Sequence, residues 1–281
     1  MTDISFGVHR TLEIDGRTVE VWEPPQHAAE QGIARPLLLA HDGQNLFLPG
    51  RSFGGVPWGF VQACEAVLAK FPDVTLPYVI APWNRPDLDR ARDYAPQRIL
   101  QSVPLIDAGF QTYFSPTQRL SQGFDPQWAG DDYVRWCADV LIPSVSASSN
   151  WNVDRTNIAV MGSSMGGLAS AYAISLRPDV YSTALCVSTH WTPGGHELSR
   201  SLTQMLPTAE SGARIWFDHG TENLDATYGE FQLTADVVMR ERGFESGRQW
   251  QTTVYEGADH NEDSWSQRLP DILSWWLHTD D

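Results

Sequence analysis

Apolar and polar residues fall into blocks along the chain, and the period of each block predicts its element. Two short β-like runs, 11–14 and 18–22, flank Asp15-Gly16, and an Asp-Gly pair between such runs predicts a hairpin. A polar, proline-led connection over 24–35 leads to Pro36-Leu37-Leu38-Leu39-Ala40-His41. That apolar run has no alternation, as expected for a strand covered on both faces of a parallel sheet. A helical pattern follows over 58–70, then a strand over 78–81. Residues 131–142 place Tyr133, Val134, Trp136, Cys137, Val140 and Leu141 on one broad face, and Pro143 is expected to end that helix. Further apolar runs at 157–161, 183–187, 214–218 and 251–256 read as strands. Residues 167–176, 226–242 and 264–277 read as helices, the second stopped by Gly243.

Apolar strands alternating with helices predict an α/β fold over 1–281: a mostly parallel central sheet, an N-terminal antiparallel hairpin and helices on both faces. Residues 83–130 break this rhythm. They are rich in proline, arginine and aromatic residues, and a long irregular segment in a compact domain is expected to form a lid or a substrate wall, or else an insertion that packs on the sheet.

Between the strand at 157–161 and the helix at 167–176 stands Gly162-Ser163-Ser164-Met165-Gly166, a match to G-x-S-x-G. In that strand–turn–helix setting the central serine occupies a strained turn with its Oγ held away from the sheet. A serine hydroxyl needs a base to take its proton, and the base needs a group to hold its tautomer. The expected chain order is serine, acid, histidine. His260, beyond the strand at 251–256, fits the base. The acid should follow the strand at 214–218, in Asp218-His219-Gly220-Thr221-Glu222-Asn223-Leu224-Asp225. Asp225 is favoured for its short side chain at the loop-to-helix junction, with Glu222 as the competitor. The backbone N–H groups of Met165 and of Gln44, in the loop after the strand at 36–41, are the expected oxyanion donors. His41, Asp42, Trp83, Arg85, His190 and Trp191 follow strands at the end where ligands bind in open α/β sheets, and they are the expected pocket residues.

Composition removes other classes. A formal net charge of -16 argues against nucleic acid and anionic membrane surfaces as partners. No run of about 18 apolar residues is present to span a membrane. Residues 1–10 lack the basic-then-apolar pattern of a secretion signal. Cys64, Cys137 and Cys186 have neither disulfide nor zinc spacing, so a cytoplasmic protein with buried thiols and no metal is expected. The oligomeric state stays open, a homo-oligomer included.

With these residues assembled, the chain resembles the "putative esterase" family of α/β-hydrolases, which holds esterase D-type enzymes, enterochelin esterases, feruloyl esterase domains and mycolyltransferases. Four stretches carry the resemblance. They are His41-Asp42-Gly43-Gln44-Asn45-Leu46-Phe47, Gly162 to Gly167, Gly220-Thr221-Glu222-Asn223-Leu224-Asp225, and Asp259-His260-Asn261-Glu262 ahead of a Trp-containing last helix. The likeness spans roughly 9–277. It implies a serine esterase acting on carboxylic esters without metal or cofactor, and the aromatic rings beside polar groups among the expected pocket residues suit a small-molecule ester of a small, carbohydrate or aryl alcohol. Ser164 is the implied nucleophile and His260 the base, with Gln44 and Met165 lining the oxyanion hole. Some relatives carry the acid one spacer after the Gly-Thr pair, where this chain has Asn223. Two other readings stand beside hydrolysis: acyl transfer to another alcohol with the same triad, and a non-catalytic binding protein on a hydrolase fold.

Overall fold

A computed structural model describes residues 6–25, 32–114 and 127–278. The hairpin turn takes positive φ at both central residues, 52° at Asp15 and 74° at Gly16, as a type I′ turn requires. It joins β1 (Val8–Ile14) to β2 (Arg17–Glu23) with Ile14 opposite Arg17. The remaining strands are β3 (Arg35–Ala40), β4 (Tyr78–Pro82), β5 (Val153–Ser163), β6 (Thr183–Val187), β7 (Arg214–Gly220) and β8 (Trp250–Tyr255). They form one sheet in the order β1-β2-β4-β3-β5-β6-β7-β8, antiparallel through β1-β2-β4 and parallel from β4 to β8. This is the mostly parallel α/β-hydrolase sheet.

The continuous apolar runs are explained by burial on both sides. Leu37, Leu39, Val160, Ala184, Cys186 and Phe217 point into one core, while Leu38, Ala40, Met161, Leu185, Val187 and Trp216 point into the other. The second core is closed by α1 (Phe60–Lys70) and α10 (Glu262–Leu277). The first is closed by α7 (Met165–Leu176), α8 (Gly195–Met205), α9 (Tyr228–Glu241) and a cluster of shorter helices.

That cluster corrects two expectations. Where it is described, the segment 83–130 is helical: α2 (Leu88–Tyr94), α3 (Gln97–Ser102) and α4 (Pro104–Phe114), with 115–126 outside the described residues. α4 begins at Pro104, which suits a first helical turn, and α3 directly follows Pro96. All three helices are too short to show a 3.6-residue period in sequence, yet Tyr94, Ile99 and Phe110 are buried in the core. The second correction concerns Pro143. The helix runs on as α5 (Gly130–Trp136), a π turn at Cys137–Leu141, and α6 (Ile142–Ser148). The widened turn shifts the hydrogen-bond register just before Pro143, which sits in the first turn of α6, where its missing N–H costs little.

Candidate active site

The turn from β5 into α7 places Ser164 at φ 58° and ψ −121°, a conformation that side chains rarely adopt. Surrounding contacts hold it there. Ser164 N–H donates to Val187 O at 2.9 Å, and its carbonyl accepts from Gly167 N at 3.0 Å and His190 N at 3.2 Å. A Cβ on Gly162 would lie 2.8 Å from the Gly166 backbone, so strand and helix approach this closely only because residue 162 has no side chain.

His260 lies in the loop between β8 and α10. Its Nδ1 is 2.6 Å from Asp225 Oδ1, so against a carboxylate acceptor Nδ1 carries the proton and Nε2 is free. Asp225 has no exposed surface and begins the short turn Asp225–Thr227 ahead of α9, whereas Glu222 is exposed. The other carboxylate oxygen, Oδ2, accepts from Ser188 Oγ at 2.6 Å and Gly220 N at 2.7 Å. Burial pushes the Asp225 carboxyl up, but these bonds and His260 outweigh it and hold it below the ordinary value. The His260 ring is packed edge-on by Trp265 at 5.0 Å and Tyr228 at 5.5 Å. Asn261, next in the chain, caps α10 by accepting from Ser264 N at 2.9 Å, which fixes the loop.

Tyr228 and His190 complete the floor beside Ser164. The Tyr228 hydroxyl is 2.5 Å from His190 Nδ1, and it faces the hydroxyls of Ser164 and Thr192. Burial pushes His190 down to about 3, so it is a neutral imidazole at working pH. Its ring is covered edge-on by Tyr113 at 4.8 Å. Sequence reasoning missed Tyr228 and Tyr113, because both stand on helices whose placement over the site is a tertiary matter.

On the other side, β3 runs into Asp42 in the left-handed conformation (φ 56°, ψ 46°) and a short turn, Gly43–Asn45. Gly43 admits no side chain there: its Cβ would lie 2.0 Å from Ala81 O. Asp42 is set beside the elbow, where a Cβ on Gly166 would lie 3.4 Å from its Oδ2. Met165 is the first residue of α7, so its N–H faces outward at the positive end of that helix. Asp42 is gripped by Arg90, whose Nε and Nη2 each donate at 2.8 Å, and by Asn84 Nδ2 at 2.6 Å. Burial raises the Asp42 carboxyl, and Arg90 more than reverses this. Arg90, another residue not anticipated from sequence, comes from α2.

The expected pocket residues scatter. His190 lies in the site, and Asp42 lies beside the elbow. His41 is buried beneath it, with Nδ1 2.8 Å from Tyr133 OH, and burial pushes it down to about 4. Trp191 is a core residue, wholly buried with its indole donating to Gln232 Oε1 at 3.0 Å, so it offers no surface to a substrate. Trp83 donates to the buried Glu20 at 2.8 Å, and Arg85 is bound to Asp93, both within ion clusters that brace the β2–β4 edge. Among the described residues, no group of three or more His, Cys, Asp or Glu side chains could hold a metal ion. Nor is any helix among them long and apolar enough to cross a membrane.

An α/β-hydrolase sheet carrying a strained serine elbow, with a histidine–carboxylate pair on the following loops, defines the serine hydrolases. The sequence profile described as "Putative esterase" matches residues 99–276, well over half of the chain, so the chain belongs to that esterase family. It is a serine esterase. No curated protein matches in sequence. Among solved structures, it is similar to the enterobactin and salmochelin hydrolase IroE, at 16% identity over 96% of each chain with a TM-score of 0.60. It is similar to the BES protein from Bacillus cereus, at 12% identity over 99% of this chain and 97% of that one, TM-score 0.64. A ferulic acid esterase shares 15% identity over 95% and 98%, TM-score 0.57. At these identities the likeness establishes the fold.

Proposed function

We propose that this esterase works through a Ser164–His260–Asp225 triad, with the N–H groups of Met165 and Gln44 as oxyanion donors, on small-molecule esters of small, aryl or carbohydrate alcohols. The observation that carries the reading is the 2.6 Å bond from the His260 ring to a buried Asp225 carboxylate, with Tyr228 packed edge-on against that ring while its hydroxyl meets the hydroxyl of Ser164 on the strained elbow. His260 Nε2 takes the Ser164 proton as Oγ attacks the ester carbonyl. The tetrahedral oxyanion is held by the two N–H groups, and the imidazolium returns its proton to the leaving alcohol. Water, deprotonated by the same nitrogen, then releases the acid. Each oxyanion donor contributes roughly 3 kcal/mol to such a barrier.

The exposed ring of Tyr113 beside His190 supports an aryl or sugar ester. Two similar proteins are named as a ferulic acid esterase and as an enterobactin and salmochelin hydrolase, which accords with a small-molecule ester as substrate. Three buried free thiols, Cys64, Cys137 and Cys186, support a cytoplasmic location. Hydrolysis of p-nitrophenyl acetate, butyrate and octanoate by the wild type and by Ser164→Ala tests the assignment. Turnover that falls by at least about 10³ in the folded variant is expected. Equal rates in the two proteins would overturn it.

A further inference from the structure

Behind Asp225 lies a second layer of buried polar groups that ester hydrolysis does not itself require. Ser188, just past the end of β6, is wholly buried and held at a positive φ of 41°. Its Oγ meets three partners: Asp225 Oδ2 at 2.6 Å, Arg268 Nη2 at 2.6 Å and Trp265 Nε1 at 3.1 Å. A hydroxyl has one proton and two lone pairs, and an indole N–H or a guanidinium N–H can only donate. The two donors therefore occupy both lone pairs of Ser188 and leave its proton a single direction, toward Asp225. With Gly220 N–H also on Oδ2, Asp225 is left to accept on Oδ1 from His260.

Arg268 comes from α10 and is 2% exposed. It lies between two carboxylates, 3.2 Å from Asp218 Oδ1 and 3.6 Å from Asp225 Oδ2, with the Tyr255 ring beneath it at 5.2 Å. Asp218 accepts from Ser188 N at 3.0 Å and Trp216 Nε1 at 2.8 Å. Burial raises the Asp218 carboxyl, opposed by Arg268 and by the Trp216 and Ser188 N–H groups; with both acids as carboxylates, one guanidinium leaves a buried net charge of minus one, which an imidazolium on His260 would neutralise.

We infer that Arg268 is a positioning residue for this esterase: through Ser188 it fixes the Asp225 carboxylate and the His260 tautomer, and with Asp218 it sets the charge against which His260 takes up its proton. The inference rests on the triad assigned above. The other ionisable groups facing the His260 ring are His190, Tyr228 and Glu262, and the Asp259 carboxylate accepts from the His260 backbone N–H at 2.6 Å. Burial keeps His190 and Tyr228 neutral at working pH and raises Glu262, and none of the three is altered below. Beside Asp218 stands the Cys186 thiol, kept neutral by burial, and beside Tyr255 stands Asp271.

The test is the NMR titration of the His260 ring together with kcat and KM, in Asp218→Asn and in the double variant Asp218→Asn/Arg268→Met. Asp218→Asn removes one negative charge, so the His260 midpoint should fall by about one pH unit. The double variant restores the net charge, and removing both partners of a buried ion pair is often neutral for stability. Its His260 midpoint should return to the wild-type value, while kcat falls roughly tenfold at unchanged KM because the Ser188 proton is no longer directed. An unmoved or raised midpoint in Asp218→Asn overturns the inference, as does wild-type kcat in the double variant. Ser164→Ala separates the levels. Wild-type turnover in that variant removes the triad and this inference with it. Loss of turnover with an unmoved His260 midpoint in Asp218→Asn removes this inference alone.

Discussion

At the scale of single residues, the site is a problem of proton placement. Asp225 accepts from three donors, so it has no proton of its own to offer and must face His260 as a carboxylate. Asp225→Asn would turn either an N–H₂ toward His260 Nδ1 or a second donor toward Ser188 and Gly220. By analogy with the Asp→Asn change of a Ser-His-Asp protease, kcat should fall by about 10³–10⁴. Glu222→Gln, in the same loop but exposed, should leave kcat within about twofold. Steady-state kinetics on one chromogenic ester compare the two. A larger loss in Glu222→Gln would move the acid to that residue. Glu222 and Asp225 are both reachable in sequence, and only burial and direction separate them.

At the scale of elements, the elbow depends on how closely β5 and α7 approach. Gly162→Ala should cost about 2 kcal/mol or more, since the new methyl would press on Gly166 backbone atoms at 2.8 Å and backbone cannot rotate away. It should also displace Ser164 and lower kcat. Thermal unfolding followed beside activity checks this, and an unchanged Tm would show that strand and helix can part. The same glycines were readable in sequence because the demand is local. The short helices α2–α4 were not, since their segments have too few turns to establish a period. Helix α8 was also overlooked, though Leu198 and Leu202 recur at a helical interval and are buried. Pro143 misled for a different reason: a proline ends a regular α-helix, but a π turn directly before it lets the helix proceed.

At the scale of the molecule, burial of neutral histidines links stability to pH. His41 is pushed to about 4 and His190 to about 3, both by burial, against an ordinary value near 6.5. A depressed histidine binds protons in the unfolded chain before it does so in the folded one, so stability falls as pH drops from about 6.5 toward 4. Each buried histidine removes a few kcal/mol over that window. Urea unfolding between pH 7 and 4 should show the decline, and His41→Asn should flatten its slope. An identical slope in that variant would mean that His41 does not carry the linkage.

The sequence by itself determined the parallel sheet with its leading hairpin and the turn that carries Ser164 between strand and helix. Each depends on a short-range rule: apolar runs for doubly covered strands, Asp-Gly for a type I′ turn, glycine where backbones touch. The "putative esterase" likeness rested on the same local stretches. Tertiary structure alone decided which carboxylate meets His260, which aromatic rings reach the site and which vanish into the core. Trp191 and His190 are neighbours in sequence, yet one is sealed against Gln232 and Phe217 while the other lies beside Ser164. Arg90 and Arg268 are drawn from opposite faces of the sheet to Asp42 and Asp225, across 48 and 43 residues of chain. No local pattern records such pairings, because a charge is buried only where the fold has already brought its partner.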